Sequence, residues 1–233
     1  MKRFTVAILC CFTVLCCFTV MSRTAALAQV AGNANKQYQT KEGRAGVAKG
    51  LDDPQRDERQ KPRELIEAMD LKPGQTVADV GTGVGYMLPF LSRAVGSEGK
   101  VIGEDIQTDF LDKAKQKAKL SNVQNATFIL GTPEDAKLPG DTVNAILVLD
   151  VYHHFDYPDQ MLASLRESLV GGGRLFIVDY FRSEKAMPNG RALEHIRADR
   201  DEVVKEVENN GFRLLWKRDH IPNSQYMLAF EKK

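Results

Sequence analysis

No cysteine follows Cys17, so a domain built from the rest of the chain has no thiol nucleophile, no thiolate zinc site and no disulfide. All four cysteines of the 233-residue chain, Cys10, Cys11, Cys16 and Cys17, fall in one apolar run at its start. None of them follows the small residue that a lipoprotein signal requires, since Leu9, Cys10, Leu15 and Cys16 stand there. An excess of charge is also lacking: 32 basic and 31 acidic residues leave a formal +1. That balance argues against nucleic acid or a membrane surface as partner and favours a small-molecule substrate, and it leaves the oligomeric state open. There is no internal repeat. At 43% hydrophobic and 27% charged residues the length suits one globular domain with a sizeable core.

The start of the chain has the organisation of an export signal. Lys2 and Arg3 precede an uncharged run from Phe4 to Met21, and Ala26-Leu27-Ala28 offers small residues at the positions a signal peptidase reads. Cleavage after Ala28 is expected, which makes residues 1–28 a signal peptide and leaves 29 basic against 31 acidic residues. The alternative is an uncleaved anchor, because the run is long enough to span a bilayer. In both cases the positive charges ahead of the run place the downstream domain outside the cytoplasm, in the periplasm or tethered to the membrane. Residues 29–54 are rich in Gly, Asn, Gln, Lys and Ala and read as a solvated tether without regular structure. The folded domain is expected over 55–233.

From Thr76 onward short apolar runs alternate with helical patterns, as in a mainly parallel sheet covered on both faces. The spacing predicts strands at Thr76 to Val80, Lys100 to Asp105, Thr127 to Leu130, Val143 to Leu149 and Arg174 to Val178. Helices are expected at Arg59 to Met69, Tyr86 to Val95, Phe110 to Leu120 and Pro158 to Val170, the last stopped by Gly171-Gly172-Gly173. Asp199 and Glu202 resemble a capping box opening a helix through Val203, Val204 and Val207. Phe212 to Asp219 and Tyr226 to Glu231 close the chain as a hairpin, so one of them runs antiparallel to the rest.

The first strand runs into Val77-Ala78-Asp79-Val80-Gly81-Thr82-Gly83-Val84-Gly85 ahead of a helix. Glycines there allow a sharp turn and a close approach of ligand to main chain, and the helix start adds a partly positive end. The spacing is GxGxG, and Tyr86 or Met87 stands where a dinucleotide fold wants its third glycine, which disfavours a nicotinamide cofactor. About twenty residues further on, the second strand ends in Glu104-Asp105, where a carboxylate can accept ribose hydroxyls. The third strand leads into Gly131-Thr132-Pro133-Glu134-Asp135, the place where an adenine edge is met in such a sheet.

These motifs resemble the class I S-adenosylmethionine-dependent methyltransferases, and more narrowly a signal-bearing bacterial group whose fourth strand runs into a segment like Asp150-Val151-Tyr152-His153-His154-Phe155. The resemblance implies a Rossmann-like α/β fold with a mostly parallel seven-stranded sheet, a C-terminal antiparallel hairpin and helices on both faces. It implies S-adenosylmethionine as cofactor. Gly81, Thr82, Gly83 and Gly85 would approach its methionine part, with Asp79 fixing the loop and Asp150 close by. Asp105 would hold the ribose beside Ile106, and Thr132, Pro133, Glu134 and Asp135 would meet the adenine. Thr132 departs from the acidic or amide residue of many relatives, and Asn144 from a common aspartate. Two other readings stay open: a nicotinamide-dependent oxidoreductase on a similar sheet, and a nucleoside-binding envelope protein that has lost transfer.

Methyl transfer from a sulfonium is an in-line displacement that depends mainly on alignment. The acceptor should sit at the carboxyl ends of the fourth and fifth strands, near His153, His154 and Tyr180. A histidine there could take a proton from the nucleophile. His195 and Arg197 could reach over the pocket as part of a lid, and His220 reads as a hairpin-end residue. No spacing among these residues is specific for a metal.

Overall fold

The computed structural model describes residues 31–187 and 189–233. The leader over 1–28 and its cut after Ala28 lie outside the described residues. Among the described residues no helix is long and apolar enough to cross a membrane.

Seven strands form one sheet: β1 (Thr76–Val80), β2 (Lys100–Asp105), β3 (Ala126–Leu130), β4 (Val143–Leu149), β5 (Leu169–Tyr180), β6 (Phe212–Ile221) and β7 (Gln225–Lys232), in the order β3-β2-β1-β4-β5-β7-β6. β1 to β5 pair in parallel, while β7 is antiparallel to both β5 and β6. The reversal follows from the short Pro222-Asn223-Ser224 link, too short for a parallel crossover. The fold class expected from the sequence is therefore the one observed.

Strand alternation divides the interior into two cores. Ala78, Val80, Ile146 and Val148 face Leu162, Leu165, Val203 and Val207 on one side. Val77, Ala145 and Leu147 face Leu65, Leu88 and Leu91 on the other. Both faces of β4 are buried, which is why it reads as an unbroken apolar run. The order reverses between β1 and β4, which opens a crevice at the carboxyl end of the sheet.

Three local expectations are revised. The lead-in helix is two helices, Arg56–Gln60 and Pro62–Met69, broken at Lys61, whose φ is +43°. The ring of Pro62 disfavours the helical conformation in the residue before it. The helix Pro158–Ser168 ends before the glycines, and β5 begins at once with Leu169, fully buried opposite Val143. Gly171 to Gly173 then bulge out between the Val143 and Ala145 pairings, with Gly172 at φ +72°.

The third revision concerns residues 29–54, read as a tether without structure. A 3-10 turn spans Lys36–Gln39 and a helix spans Lys41–Leu51, with Thr40 Oγ1 accepting from Gly43 N at 3.1 Å as its N-cap. Val47, Ala48 and Leu51 pack with Tyr38 against Val84 and Phe110, and Arg44 Nε pairs with Asp109 at 2.8 Å. A polar composition hid a narrow apolar stripe that has the domain to lie on.

Candidate active site

A cavity of about 280 Å³ opens at the carboxyl ends of β1, β2 and β4. Gly81, Thr82 and Gly83 form its floor, Asp105 and Ile106 one wall, and Leu149 and Asp150 the other. Gly81 sits at φ +70°, and a Cβ added there would lie 2.5 Å from Val151 Cγ2, so the turn needs glycine twice over. Gly85 has a different task from the expected one: it lies off the cavity, where a Cβ would lie 3.0 Å from Ala114 Cα. Its role is the close packing of the helix Thr108–Leu120 on the loop.

The loop is held by acids. Thr82 Oγ1 donates to Asp79 Oδ2 at 2.7 Å, and Gly83 N donates to Asp105 Oδ2 at 2.9 Å. Gln107 N donates to Asp105 Oδ1 at 2.8 Å, so each carboxylate oxygen of Asp105 keeps a lone pair for a ligand. Burial pushes the carboxyls of Asp79, Asp105 and Asp150 each up to about 6. Backbone N–H groups of Gln107 and Gly83 restrain the rise at Asp105, and the charge of Arg56 does so at Asp150.

Glu104 was not among the expected site residues, since strand alternation should turn it away from the pocket. It lines the cavity beside Asp105 and is 1% exposed. Gly81 N donates to its Oε2 at 3.2 Å, and its buried Oε1 has no hydrogen-bond partner among the described residues. Desolvation and the neighbouring Asp105 charge raise its carboxyl well above the usual range. A Cβ on Gly131 would lie 2.0 Å from Oε1, so Gly131 makes room for this side chain.

Of the loop after β3, Pro133 alone lines the cavity. Thr132 N donates to Asp135 O at 2.8 Å and closes a turn, Glu134 is exposed, and Asp135 Oδ1 accepts from Ser164 Oγ and Lys137 N. The side chains of Thr132, Glu134 and Asp135 thus organise the loop or face solvent.

Asp150 ends β4 in the left-handed region at φ +57°, an uncommon conformation for a residue with a side chain. Its carboxylate accepts from Gln60 Nε2 and Gln225 Nε2, each at 2.7 Å. His153 is buried behind the cavity, with Nδ1 2.7 Å from Asp179 Oδ1 and its backbone N donating to Asp179 Oδ2 at 2.9 Å. His154 lines the cavity, and its Nδ1 lies 2.7 Å from Asn35 Oδ1. Burial and the two neighbouring histidines hold the His154 imidazole neutral, far below its ordinary range. Tyr180 stands off the cavity, and the Asp150 charge, with burial, keeps its phenol protonated.

The lead-in segment closes the other side. Asn35, Tyr38, Gln39, Leu51 and Arg56 all line the cavity. Tyr38 packs edge-on to Phe110 and His154, with ring centroids 6.0 and 5.0 Å away, and burial pushes its hydroxyl up to about 12. Arg56 stacks 4.1 Å over the Tyr86 ring. Among the described lining residues it is the single Lys or Arg, facing Glu104, Asp105, Asp150 and Asp156. The signals for these residues were the one aromatic in a polar stretch and the Val47/Leu51 spacing.

The family model for the methyltransferase domain matches residues 71–225, from the turn before β1 to the start of β7. The chain belongs to this family. Methyltransferases are also what it is similar to elsewhere. A ubiquinone/menaquinone biosynthesis C-methyltransferase of Marinomonas sp. is 30% identical over 126 residues, covering 54% of this chain and 50% of that protein. Relatives of the same name from Vibrio vulnificus match at 30% over 119 residues. The chain spans about half the length of these curated relatives. The crystal structure of a SAM-dependent methyltransferase from Aquifex aeolicus superposes with a TM-score of 0.74 at 28% identity, covering 81% of this chain and 98% of that one. A geranyl diphosphate C-methyltransferase from Streptomyces coelicolor, solved with S-adenosyl-L-homocysteine, shares the fold at a TM-score of 0.63 and 14% identity. Membership bears out the class of domain and the cofactor that the resemblance implied.

Proposed function

We propose that the protein transfers a methyl group from S-adenosylmethionine to a small-molecule acceptor by in-line displacement, outside the cytoplasm and without residues 1–28. The observation that carries this reading is the crevice between β1 and β4, where the Gly81 to Gly83 backbone, the buried Asp105 carboxylate and Arg56 converge. The donor set fits the cofactor. Asp105 has two free lone pairs for ribose hydroxyls, and Arg56 can meet a carboxylate. The surrounding acids suit an ammonium and a sulfonium. When bound, the cofactor supplies an electrophilic methyl group.

The chain's own contribution is alignment and exclusion of water. Ile106 and Pro133 offer apolar contact to a base, while Tyr38 and the helix Lys41–Leu51 cover the opening. Asn35 Nδ2 donates to His154 O and to Asp156 Oδ2, both at 3.0 Å, so its Oδ1 faces His154 Nδ1 as an acceptor. The proton is thereby held on Nδ1, and Nε2 is left free to take one from an acceptor. Tyr180, protonated and off the cavity, is no base here. The curated relatives' names support a small acceptor.

Incubation of purified protein with methyl-labelled S-adenosylmethionine and small-molecule extracts of the cell envelope tests this. Label in an extracted compound together with released S-adenosylhomocysteine is expected. Saturable S-adenosylhomocysteine binding with no transfer into any extract would favour the nucleoside-binding alternative, and no binding would overturn the reading. The exported protein should have the intact mass of a chain starting at Gln29. A mass that retains residues 1–28 would mean an anchor.

A further inference from the structure

We propose that His153, His154 and His195 form a site for one divalent transition metal of the zinc class, with three imidazole ligands and an open fourth position. The chain has four histidines, and three of them meet here. One ligand nitrogen from each lies within 4.8 Å of the other two, and ring centroids are 4.0, 5.0 and 5.4 Å apart. Tetrahedral Zn–N bonds of 2.0–2.1 Å set ligand nitrogens about 3.4 Å apart, so a modest contraction closes the site.

Two of the three rings are held by polar partners. His153 Nδ1 is engaged by the Asp179 carboxylate and His154 Nδ1 by Asn35 Oδ1. With Nδ1 engaged in both rings, Nε2 is the nitrogen each has to offer a metal, the arrangement in which carboxylate or amide partners orient metal-binding histidines. His195 ends the short helix Ala192–His195, which Arg182 holds by donating to Ile196 O at 3.1 Å and Leu193 O at 3.2 Å. Three imidazole ligands with no thiolate select zinc, copper, nickel or iron over magnesium or calcium. Three ligands with one position free is the pattern of zinc sites that bind a further molecule.

His154 is shared between this cluster and the cavity. On the methyl-transfer reading, a bound ion would replace His154 Nε2 as the activating group: the open position would take an oxygen of the acceptor and favour its deprotonated form, the proton leaving to solvent. The metal site itself does not depend on that reading.

The test uses chelator-stripped protein beginning at Gln29, which carries no cysteine, titrated calorimetrically with Zn(II) alone and followed in the visible with Co(II) alone. We expect about one ion per chain and the intense d–d absorption of four-coordinate Co(II). His195→Ala, which lies off the cofactor cavity, should abolish both signals while melting stays cooperative. Asp179→Asn should weaken Zn(II) roughly ten-fold to a hundred-fold through His153. His220→Gln, the one histidine outside the cluster, should change nothing. Absence of saturable binding in the wild type overturns the proposal, as does equal binding by wild type and His195→Ala. Zinc binding without any methyl transfer would leave the site standing and count against the enzyme assignment alone.

Discussion

Asparagine in place of Asp105 asks the most of the cofactor site, because it keeps the shape and removes the charge. The wild-type carboxylate accepts from Gly83 N and Gln107 N and keeps one lone pair on each oxygen for the two ribose hydroxyls. The amide keeps one acceptor and turns a donor toward a backbone N–H. One charge-assisted hydrogen bond is lost, about 1.5–3 kcal/mol, which corresponds to roughly ten-fold to a hundred-fold in affinity. The carboxyl at about 6 adds a pH signature. A ligand that favours the ionised form binds well at pH 7.5 and loses roughly ten-fold by pH 5, where about a tenth of such a group is ionised. Asp105→Asn should flatten this limb, with Asp150, also at about 6, leaving a remnant. The assay is calorimetric titration with S-adenosylhomocysteine at pH 5, 6 and 7.5, with melting curves alongside. Equal affinities at pH 7.5, or an undiminished pH limb in the variant, would refute the ribose assignment. Glu104→Gln is no neutral control here, since Glu104 lines the same wall.

Other outcomes rest on the same geometry. Gly81→Ala should abolish cofactor binding, and Gly81→Ala with Val151→Ala should regain part of it, because the 2.5 Å contact is relieved while the φ of +70° stays strained; no recovery by calorimetry would place the whole effect in the backbone. Asp79 binds its proton more tightly folded than unfolded, so the folded state holds the extra proton between about pH 4 and 6 and loses that stabilisation as pH rises through 6. The melting-temperature difference of Asp79→Asn over wild type should therefore shift in the variant's favour from pH 5 to pH 7, and a constant difference would contradict the raised carboxyl. A chain beginning at residue 55 lacks Tyr38 and Leu51 over the opening and should bind S-adenosylhomocysteine at least ten-fold more weakly, since burying one such side chain is worth about 1.5–3 kcal/mol. Unchanged affinity would return residues 29–54 to the role of a tether. Leu165→Ala, fully buried beneath β4 and β5, should cost about 2–5 kcal/mol in denaturant without a selective effect on ligand.

What the sequence determined by itself is local. β1, β2 and β4 have the ends their apolar runs predict, because a strand buried on both faces needs an unbroken run and a turn residue to stop it. The capping box at Asp199 and Glu202 and the glycine turn after β1 were legible for the same reason, since each is a contact between neighbours in the chain. The tertiary structure decided whatever depends on residues far apart. Leu169 joined β5 because Val143 needed a partner, and the glycines after it became a bulge. Alternation along β2 implied that Glu104 faces away, but the loop amide of Gly81 draws its carboxylate into the cavity wall. A polar stretch became a helical cover once it had Val84 and Phe110 to pack on. His195 lies some forty residues from His153 and His154, and only the return of the chain past the end of β5 brings the three imidazoles together.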